Sequence, residues 1–551
     1  MAGNLAEIPD TVRLRDVVTS AERRRRYLEA GHWDGTTLAA RLLEHAAARP
    51  QAPAVVDLLG GRVSTYADLE RDSRLVAGYL LELGVELGDV VAIQLPNWFE
   101  TVAVALGALR VGAVLGPMLP IYRAKELRHM LGVGRTKVIF TPSVYRGFDH
   151  RALVESLRPE LPDLRDHVVV EQGAGSLAQS LAGRRVAADP DRHARAEWVS
   201  ELIFTSGTEA EPKAIMHTEQ TTNFSVRTAW ASLGMTDADV VWMPSPVGHS
   251  TGFNYGIRMA LYHGLKLVLQ DRWDGDEAAD LIEAQGCTYT LAATTFLRDV
   301  VDACQRRPRN VASMRLFGCG GAPVPAELVR AAAGHGIQCL RLYGSTEVLV
   351  ATWNRPESSE AKKVETDGVA VDDVEVSIWT DDRRRDVIGE PGEIQTRGPN
   401  TCVGFFQDPV RTSATFDPEG WVKSGDLAVI DADRYLTVVG RKKEIIIRGG
   451  LNIAPREVEE LILKIPGVRA VAVVGLPHER LGEIGCACVV LAGGGELSLP
   501  ELVASLKREG LATHKLPERL EIVPELPMTP SGKVRKHVLV AQLSGADGPP
   551  G

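Results

Sequence analysis

Short apolar, β-branched runs alternate with amphipathic helical stretches over the first 440 residues of the 551-residue chain. Residues 65–83 carry apolar side chains at helical spacing, and Gly84 follows them, as is typical just after a helix. Residues 90–95 and 137–140 are two of the runs that predict strands. An alternation of this kind places helices on the faces of parallel sheets. We therefore predict an α/β fold with a large N-terminal domain of parallel sheets layered with helices.

The pattern changes after Gly440, where shorter elements follow one another closely. Strands are predicted at residues 444–448, 470–475 and 486–491, and helices at residues 455–464 and 499–510. Together they form an α+β module of about a hundred residues, which is the size of a small domain. We predict two domains, an N-terminal one at residues 1–440 and a C-terminal one at residues 441–551.

Charge and composition exclude several classes of protein. The formal net charge of −10 argues against a nucleic-acid partner, because duplex binding needs a basic face. The seven cysteines are scattered and include no Cys-x-x-Cys pair, which is typical of buried residues in a reducing compartment. We expect no signal peptide, and because Arg110 and three glycines interrupt the longest apolar region, residues 102–119, we predict a helix, a glycine turn and a buried strand there in place of a membrane span. We expect a cytoplasmic protein without a membrane span.

The sequence TSGTEAEPKAIMHT at residues 205–218 begins like a phosphate-binding loop, with small and hydroxyl side chains and then Lys213. It lacks the order GxxxxGK[ST] of P-loop NTPases, which argues against that family. Two carboxylates, Glu209 and Glu211, stand in the middle of the loop. Negative charge in a loop that holds phosphates requires an explanation.

Five further motifs follow this loop. They are YGSTE at 343–347, GWVKSGD at 420–426, GRKKE at 440–444, RGGLN at 448–452 and PSGKVRK at 530–536. In this order and spacing the set resembles the adenylate-forming superfamily of acyl-CoA synthetases, peptide-synthetase adenylation domains and luciferases. The segment PVGHSTGFNY at 246–255 is most similar to the medium-chain and cyclohexanecarboxylate CoA ligases. The resemblance covers nearly the whole chain.

Members of this superfamily join a carboxylate to AMP, release pyrophosphate, and then let a thiol displace AMP. The resemblance implies acyl-AMP or AMP, Mg²⁺ and coenzyme A as cofactors, with the use of ATP left open. It assigns the nucleotide to Thr205, Ser206, Gly207, Thr208, Lys213, Tyr343, Gly344, Thr346, Asp426, Arg441 and Gly449. It assigns catalysis to Lys533, Glu347, Lys443 and Gly450.

Individual roles also follow from the resemblance. Asp426 matches the acid that binds both ribose hydroxyls, and a carboxylate accepts two such bonds well. Glu347 matches the Mg²⁺ ligand, since a hard cation on a triphosphate prefers carboxylate oxygen. Lys533 matches the lysine that bridges the acyl oxygen and the α-phosphate while negative charge builds during adenylation. His249 matches a residue that lines the acyl channel.

The superfamily uses a mobile C-terminal domain in two positions. One position brings the Lys533 loop to the site. After a rotation about a hinge that matches Lys443, the domain instead brings Gly449 and Gly450, which form the tunnel for pantetheine. Glycines suit a narrow tunnel because they add no side chain to it.

The loop departs from the superfamily pattern TSGTTGxPKG. Glu209, Ala210 and Ala214 replace a threonine and two glycines, and Glu211 fills the variable position. An alanine forced to positive φ costs about 1–2 kcal/mol. A carboxylate roughly 6 Å from a phosphate charge costs ~3 kcal/mol at an effective dielectric constant of about 20. We expect weakened productive binding of ATP, whereas an acyl-adenylate has no β- or γ-phosphate to repel.

The leading hypothesis is an acyl-CoA ligase that converts an acyl-adenylate and CoA into the thioester, with adenylation weak or absent. The alternatives are an ordinary two-step ATP-dependent synthetase, a non-catalytic adenylate-binding protein, and a ligase that loads a carrier protein. Gly318, Gly320 and the small residues near them predict a roomy pocket for a bulky apolar acid. The sequence leaves open the identity of the acid, a separate adenylating enzyme as partner, and a homodimer.

Overall fold

The computed structural model describes residues 18–58, 61–187, 194–205, 212–321, 323–380, 383–492, 495–529 and 534–544. The strands of the first half are β1 Pro53–Asp57, β2 Arg62–Thr65, β3 Val90–Ile93, β4 Val114–Pro117, β5 Val138–Thr141, β6 Val144–Tyr145, β7 Phe148–Asp149, β8 Asp166–Val169, β9 Val199–Thr205, β10 Lys213–Thr218, β11 Val240–Met243 and β12 Lys266–Leu269. Those of the second half are β13 Tyr289–Ala292, β14 Leu316–Gly320, β15 Cys339–Ser345, β16 Leu349–Trp353, β17 Val369–Ala370, β18 Glu375–Thr380, β19 Arg383–Arg384, β20 Gly392–Arg397, β21 Val422–Ile430, β22 Leu436–Arg441, β23 Ile446–Arg448, β24 Leu451–Ile453, β25 Val468–His478, β26 Gly482–Leu491 and β27 Arg519–Ile522.

Helices connect most of these strands. They are α1 Ala21–Glu29, α2 Leu38–Ala48, α3 Tyr66–Glu82, α4 Phe99–Arg110, α5 Ala124–Val133, α6 His150–Leu157, α7 Ser176–Ser180, α8 Glu219–Ser232, α9 Ser250–Gly252, α10 Met259–His263, α11 Gly275–Gln285, α12 Thr294–Arg306, α13 Ala326–Gly334, α14 Glu360–Glu365, α15 Pro409–Thr415, α16 Pro455–Ile462, α17 Leu499–Arg508 and α18 Lys536–Ser544. A π-helix at Phe253–Arg258 joins α9 to α10.

Two sheets with parallel interiors carry the large N-terminal part. The nine-stranded sheet has the order β17-β16-β15-β14-β13-β11-β12-β1-β2, and its strands from β15 to β1 are parallel. The six-stranded sheet has the order β10-β9-β4-β3-β5-β8 and is parallel except for the β9–β10 pair. The predicted α/β class is confirmed, although antiparallel strands that the prediction did not include lie at both edges of the nine-stranded sheet and at the β10 edge of the six-stranded sheet.

A third sheet of this part was not predicted. Strands β19-β18-β20-β21-β22 form a five-stranded sheet that is antiparallel throughout. Its last strand, β22, ends at Arg441, and a single 3₁₀ turn, Lys442–Glu444, leads to β23. This sheet is therefore the last structure of the large N-terminal part before the chain reaches the predicted hinge.

The C-terminal elements form their own sheet and core. Strands β24-β23-β26-β25 are antiparallel, and β27 adds to β26 in parallel. Val458, Leu502 and Leu506 from α16 and α17 are fully buried against this sheet. Arg456 of α16 reaches the large part, with its Nη2 3.5 Å from Oδ2 of Asp367. A small C-terminal domain is thus confirmed, and the exact boundary at residue 441 stays a prediction.

Local sequence signals account for the boundaries of the predicted elements. Helix α3 begins with a capping box, in which Thr65 and Asp68 satisfy each other's backbone N–H groups. It is followed by Gly84, whose φ of 80° suits a residue without a side chain. The longest apolar region is helix α4, a glycine turn and strand β4, as predicted. Within the described ranges, no helix has both the length and the apolar character needed to cross a membrane.

Candidate active site

Asp426, Arg441 and Tyr343 form a compact cluster between two sheets. Asp426 of β21 is 6% exposed and stands directly opposite Arg441 of β22 in the ladder. Nε of Arg441 lies 2.6 Å from Oδ1 of Asp426, and the hydroxyl of Tyr343 donates to Oδ2 at 3.0 Å. The structure therefore brings together three residues that the sequence predicted for the nucleotide.

The charges of this cluster are fixed by its surroundings. Burial raises the pKa of Tyr343 well above its ordinary value, and the carboxylate of Asp426 raises it further. Burial lowers the pKa of Arg441, but the carboxylates of Asp426 and Glu444 outweigh this effect, so the pKa is raised. Tyr343 is accordingly a neutral donor, and Arg441 is a permanent cation beside Asp426. A carboxylate held in this way can accept further bonds from two vicinal hydroxyls.

Asp426→Asn is expected to weaken AMP binding by roughly 10- to 150-fold, because hydrogen bonds to a charged group contribute about 1.5–3 kcal/mol. The asparagine keeps the size of the side chain and removes the charge that Arg441 faces. Isothermal titration with AMP measures the change. Asp431→Asn, in a turn of the same sheet beside Lys362, is the matched control and should bind AMP as wild type does. Unchanged affinity in a folded Asp426→Asn protein would show that this carboxylate does not hold the nucleotide.

The β9–β10 hairpin carries the predicted phosphate loop. Thr205 is the last residue of β9 and pairs with Lys213, the first residue of β10. These two residues therefore mark the two ends of the loop. Ser206, Gly207 and Thr208 lie outside the described residues, as do Glu209, Ala210, Glu211 and Lys533. The structure thus places the two ends of the loop, and the predictions for the residues within it stay predictions.

Ala214 requires a correction. From the sequence, an alanine at this position is expected to be forced to positive φ and so to be one of the changes that damage the loop. In the structure Ala214 lies within strand β10, pairs with Phe204, and does not have a positive φ. Its methyl group is 7% exposed and packs in an apolar cluster. An alanine at this position is accommodated without strain, so it gives no reason to expect weaker binding of ATP.

Thr346 and Glu347 lie in the turn between β15 and β16. A side chain at Gly344, just before the turn, would place its Cβ 2.0 Å from the carbonyl oxygen of Leu349, which explains the glycine. The carbonyl of Glu347 accepts a hydrogen bond of 2.8 Å from the backbone N–H of Cys402. The chain after Cys402 in turn pairs with strand β10, because the N–H of Val403 donates to Met216 at 2.9 Å. The turn and the phosphate hairpin are therefore tied together.

The contact that completes this connection was missed by sequence reasoning. His217 of β10 is fully buried, and its Nε2 lies 2.7 Å from the carbonyl oxygen of Thr346. Burial lowers the pKa of His217, although the bond to Thr346 and the carboxylates of Glu201 and Glu347 act in the opposite direction. The available signal was an inward-facing histidine inside the phosphate motif, to which the sequence analysis gave no role.

The residues present fit a Mg²⁺ ion that arrives with phosphates. Glu347 offers a half-buried carboxylate, which is the ligand type that Mg²⁺ prefers. Among the residues that the structure describes, no group of three or more His, Cys, Asp or Glu side chains could hold a metal ion by itself. Mg²⁺ is commonly bound by one or two carboxylates together with the oxygens of a substrate phosphate. Glu347 would hold the ion in that manner, with phosphate supplying the remaining ligands.

His249 marks the proposed acyl side of the site. It precedes α9 and accepts a hydrogen bond of 3.2 Å on Nδ1 from the backbone N–H of Thr251. The π-helix that follows ends at Arg258, which is fully buried. Arg258 makes ion pairs of 2.6 Å with Glu201 and 3.0 Å with Glu219. This buried network, which the sequence analysis also missed, connects the chain after His249 to strand β9 of the phosphate hairpin.

The glycines of β14 do not provide the room that the sequence predicted. A Cβ on Gly318 would lie 2.7 Å from Cζ2 of Trp353, and one on Gly320 would lie 2.6 Å from the carbonyl oxygen of Leu342. The protein's own atoms therefore occupy the space beside both glycines. A bulky acid does not follow from these two positions, and their predicted contact with substrate stays a prediction.

The predicted hinge and tunnel residues lie on either side of β23. Lys443 is exposed in the 3₁₀ turn, and its neighbour Lys442 lies 2.8 Å from Glu393. Gly449 and Gly450 form the two-residue turn of the β23–β24 hairpin, with φ of 57° and 83°. Positive φ at both positions is the geometry of a type I′ turn, which strongly favours glycine. The turn alone explains both glycines, and their role in a tunnel remains a prediction.

Comparison with known proteins identifies the relatives of this chain. The profile of the AMP-binding enzyme family matches residues 42–406, and that of the AMP-binding enzyme C-terminal domain matches residues 457–533. A medium-chain fatty-acid–CoA ligase from Escherichia coli (strain K12) is 37% identical over 524 residues, covering 94% of this chain and 92% of that protein. A salicyl-AMP ligase / salicyl-S-ArCP synthetase from Mycobacterium tuberculosis is 33% identical, covering 96% and 94%.

Solved structures share the fold. ATP-bound MatB from Rhodopseudomonas palustris superposes with a TM-score of 0.83 at 26% identity, covering 93% of this chain and 100% of that one. The o-succinylbenzoate CoA synthetase of Bacillus subtilis, in complex with its acyl-adenylate intermediate, gives a TM-score of 0.79 at 26% identity, covering 91% and 97%. The two-part α/β architecture is thus shared across nearly the whole chain.

Proposed function

The chain belongs to the AMP-binding enzyme family, and from this premise we propose that it is an acid–thiol ligase that makes an acyl-CoA thioester from an acyl-adenylate and CoA. Its own ATP-dependent adenylation is proposed to be weak or absent. The observation that carries the proposal is the pair of carboxylates, Glu209 and Glu211, in the loop between Thr205 and Lys213. The contacts of Asp426 with Arg441 and Tyr343 support the part of the proposal that concerns the adenylate.

The proposal assigns separate chemistry to the two halves of the reaction. Adenylation needs the β- and γ-phosphates of ATP to sit in the loop, where each added carboxylate repels them. Thioester formation needs an adenylate in the pocket and a thiol directed at its acyl carbon, and AMP leaves with the bonding electrons of the broken C–O bond. The acyl-adenylate carries only the α-phosphate, so the altered loop repels it less than it repels ATP. In this proposal the nucleotide site is the one that the family shares, and the altered loop favours thioester formation over adenylation.

The acid is proposed to be apolar. The relative from Escherichia coli is named for medium-chain fatty acids, and others are named for salicylate and for a methyl-dioxo-octahydro-indenyl propanoate. These names span linear, aromatic and alicyclic acids, all with a largely apolar body. We accordingly choose octanoyl-AMP, cyclohexanecarbonyl-AMP and salicyl-AMP as probes.

A rotation of the C-terminal domain about Lys443 is proposed to separate the two steps. In the structure the domain contacts the large part through Arg456 and Asp367, at 3.5 Å. Gly450 is at the exposed tip of the turn, since no described atom lies within 4 Å of a Cβ placed on it, whereas Gly449 donates its N–H to the carbonyl of Leu481 at 2.7 Å. An exposed turn of this kind is free to enter a second position after a hinge movement.

Two alternatives have specific support. An ordinary two-step synthetase is favoured by Ala214, which the structure accommodates without strain. A ligase that loads a carrier protein is favoured by the relative named salicyl-S-ArCP synthetase, at 33% identity. Both alternatives use the same nucleotide cluster. The first differs from the leading proposal in forming the adenylate from ATP, and the second differs in the thiol that accepts the acyl group.

The proposal is tested by supplying the two halves of the reaction separately. The purified protein receives each acyl-AMP probe with CoA, and in parallel the free acid with ATP, Mg²⁺ and CoA. Mass spectrometry of the thioester is expected to show product from at least one adenylate and at least a hundredfold less product from the corresponding acid, by the ~3 kcal/mol charge effect. Equal product from acid and adenylate would establish the two-step synthetase. Product only with a phosphopantetheinyl carrier protein would establish the loading ligase.

A further inference from the structure

We propose that His217 is a positioning residue that holds the Thr346–Glu347 turn in register with the phosphate hairpin. The inference rests on the proposed function, because it takes Thr346 and Glu347 as the residues that meet the α-phosphate and its Mg²⁺. His217 itself touches neither nucleotide nor acid in this account. It acts through the backbone of the turn.

The first support is the bond between the imidazole ring and the turn. Nε2 of His217 lies 2.7 Å from the carbonyl oxygen of Thr346. A carbonyl oxygen only accepts hydrogen bonds, so Nε2 must carry the proton and donate it. The ring is fully buried, and the half-buried carbonyl of Thr346 would lose its side-chain donor if an apolar residue replaced the histidine.

The second support is that the ring is held from its other side as well. Nδ1 lies 3.0 Å from the hydroxyl oxygen of Thr221 in the first turn of helix α8. The hydroxyl of Thr221 also lies 2.9 Å from the carbonyl oxygen of Thr218, so its single proton has two possible acceptors, and it is the carbonyl of Thr346 that requires the ring proton on Nε2. Strand β10, helix α8 and the turn are thus joined through one imidazole ring.

The third support is the geometry of the turn. Leu349, two residues after Glu347, has a φ of 52°, which is uncommon for a residue with a side chain. Gly344 lies on the other side of the turn, and a Cβ built on it would be 2.0 Å from the carbonyl oxygen of Leu349. A backbone of this kind persists only where surrounding contacts fix it. The N–H of Cys402 fixes the carbonyl of Glu347, and His217 fixes the carbonyl before it.

The test compares His217→Leu with His217→Gln. Leucine removes the donor, whereas the amide of glutamine extends to about the position of Nε2 and can donate to Thr346. We expect His217→Leu to weaken AMP binding by about 10- to 100-fold, since the carbonyl of Thr346 loses its side-chain donor and the turn loses one of the contacts that fix it. His217→Gln should restore AMP affinity to within a few-fold of wild type. The KM for the acyl-AMP probe should rise in the leucine variant while the KM for CoA stays unchanged.

Controls separate positioning from stability. His263→Leu removes a half-buried imidazole, which stacks on Trp230 with ring centroids 4.1 Å apart, and should lower the Tm without changing AMP affinity. Should His217→Leu not fold, His217→Asn replaces it, because asparagine remains polar but does not reach Thr346. The asparagine variant should then bind AMP as weakly as predicted for leucine.

The outcomes also distinguish this inference from the proposed function. Titration with AMP tests the positioning role of His217 whether or not the protein makes a thioester. If wild type made no thioester from any adenylate, that result would overturn the proposed function and leave the positioning role standing. Wild-type affinity in His217→Leu would overturn the positioning role. Glutamine as weak as leucine would overturn it too, because the shape of the ring and not its donor would then be what matters.

Discussion

Replacing Glu209 by threonine and Ala210 by glycine is expected to give the protein acid-dependent release of pyrophosphate that wild type lacks. The double variant removes one carboxylate from the loop between Thr205 and Lys213 and restores one flexible backbone position. Relief of the charge effect alone, ~3 kcal/mol, would raise the affinity for ATP about a hundredfold. A coupled pyrophosphate assay on wild type, both single variants and the double variant measures the gain.

The matched control for this repair is Ala214→Gly, which restores the remaining superfamily glycine. Ala214 lies in strand β10 with its methyl group buried, so glycine there should destabilise the protein by about 0.5–1 kcal/mol without creating pyrophosphate release. If Ala214→Gly alone restored adenylation, the strand geometry would be the wrong explanation for that position. A silent double variant that still uses acyl-AMP would show that the loop is not the cause of weak adenylation.

Gly450→Trp is expected to lower the rate of thioester formation at least a hundredfold while leaving the affinity for AMP near that of wild type. The indole would fill the proposed pantetheine tunnel once the domain has rotated, whereas the adenylate cluster around Asp426 is untouched. Stopped assays with an acyl-AMP probe and CoA, beside titration with AMP, measure the two properties. The expected effect is large because a tunnel blocked by an indole admits no thiol at all.

A tryptophan at Gly450 also strains the backbone, and Gly510→Trp controls for that strain. Gly510 has a φ of 82°, against 83° at Gly450, and no described atom lies within 4 Å of either Cβ position. Both variants should lose similar stability, and Gly510→Trp should retain thioester formation. Equal loss of activity in the two would mean that the hairpin tip has no special role.

Lys533→Ala is the converse case and should leave thioester formation from acyl-AMP intact.

Much of the fold follows from local patterns in the sequence. Helix α3 and strand β4 were predictable because a capping box, a terminal glycine and an apolar run fix their bounds. The five-stranded antiparallel sheet was not, since its partners meet only through contacts between distant parts of the chain. Pairings of this kind depend on topology that apolar periodicity does not record.

The residues of the candidate site also divide into those that could be predicted from the sequence and those that could not. Asp426 and Arg441 were predictable from their motifs, and their direct pairing in the β21–β22 ladder is a result of the register of those strands. His217 and Arg258 were not, because a histidine inside the phosphate motif was the only signal for His217, and the sequence does not record the partners that give the two side chains their roles. The glycines of β14 show the opposite error, since Trp353 comes from a different strand to fill the space.

Exchange of labelled pyrophosphate into ATP tests the central claim most directly, because it reports adenylation alone. The measurement uses wild-type protein, Mg²⁺, ATP and the acid whose adenylate gives the most thioester with CoA. We expect exchange at the background rate with that acid, and exchange about a hundredfold above it in the Glu209→Thr, Ala210→Gly variant. Robust exchange by wild type would contradict the account and identify the protein as a ligase that performs both steps.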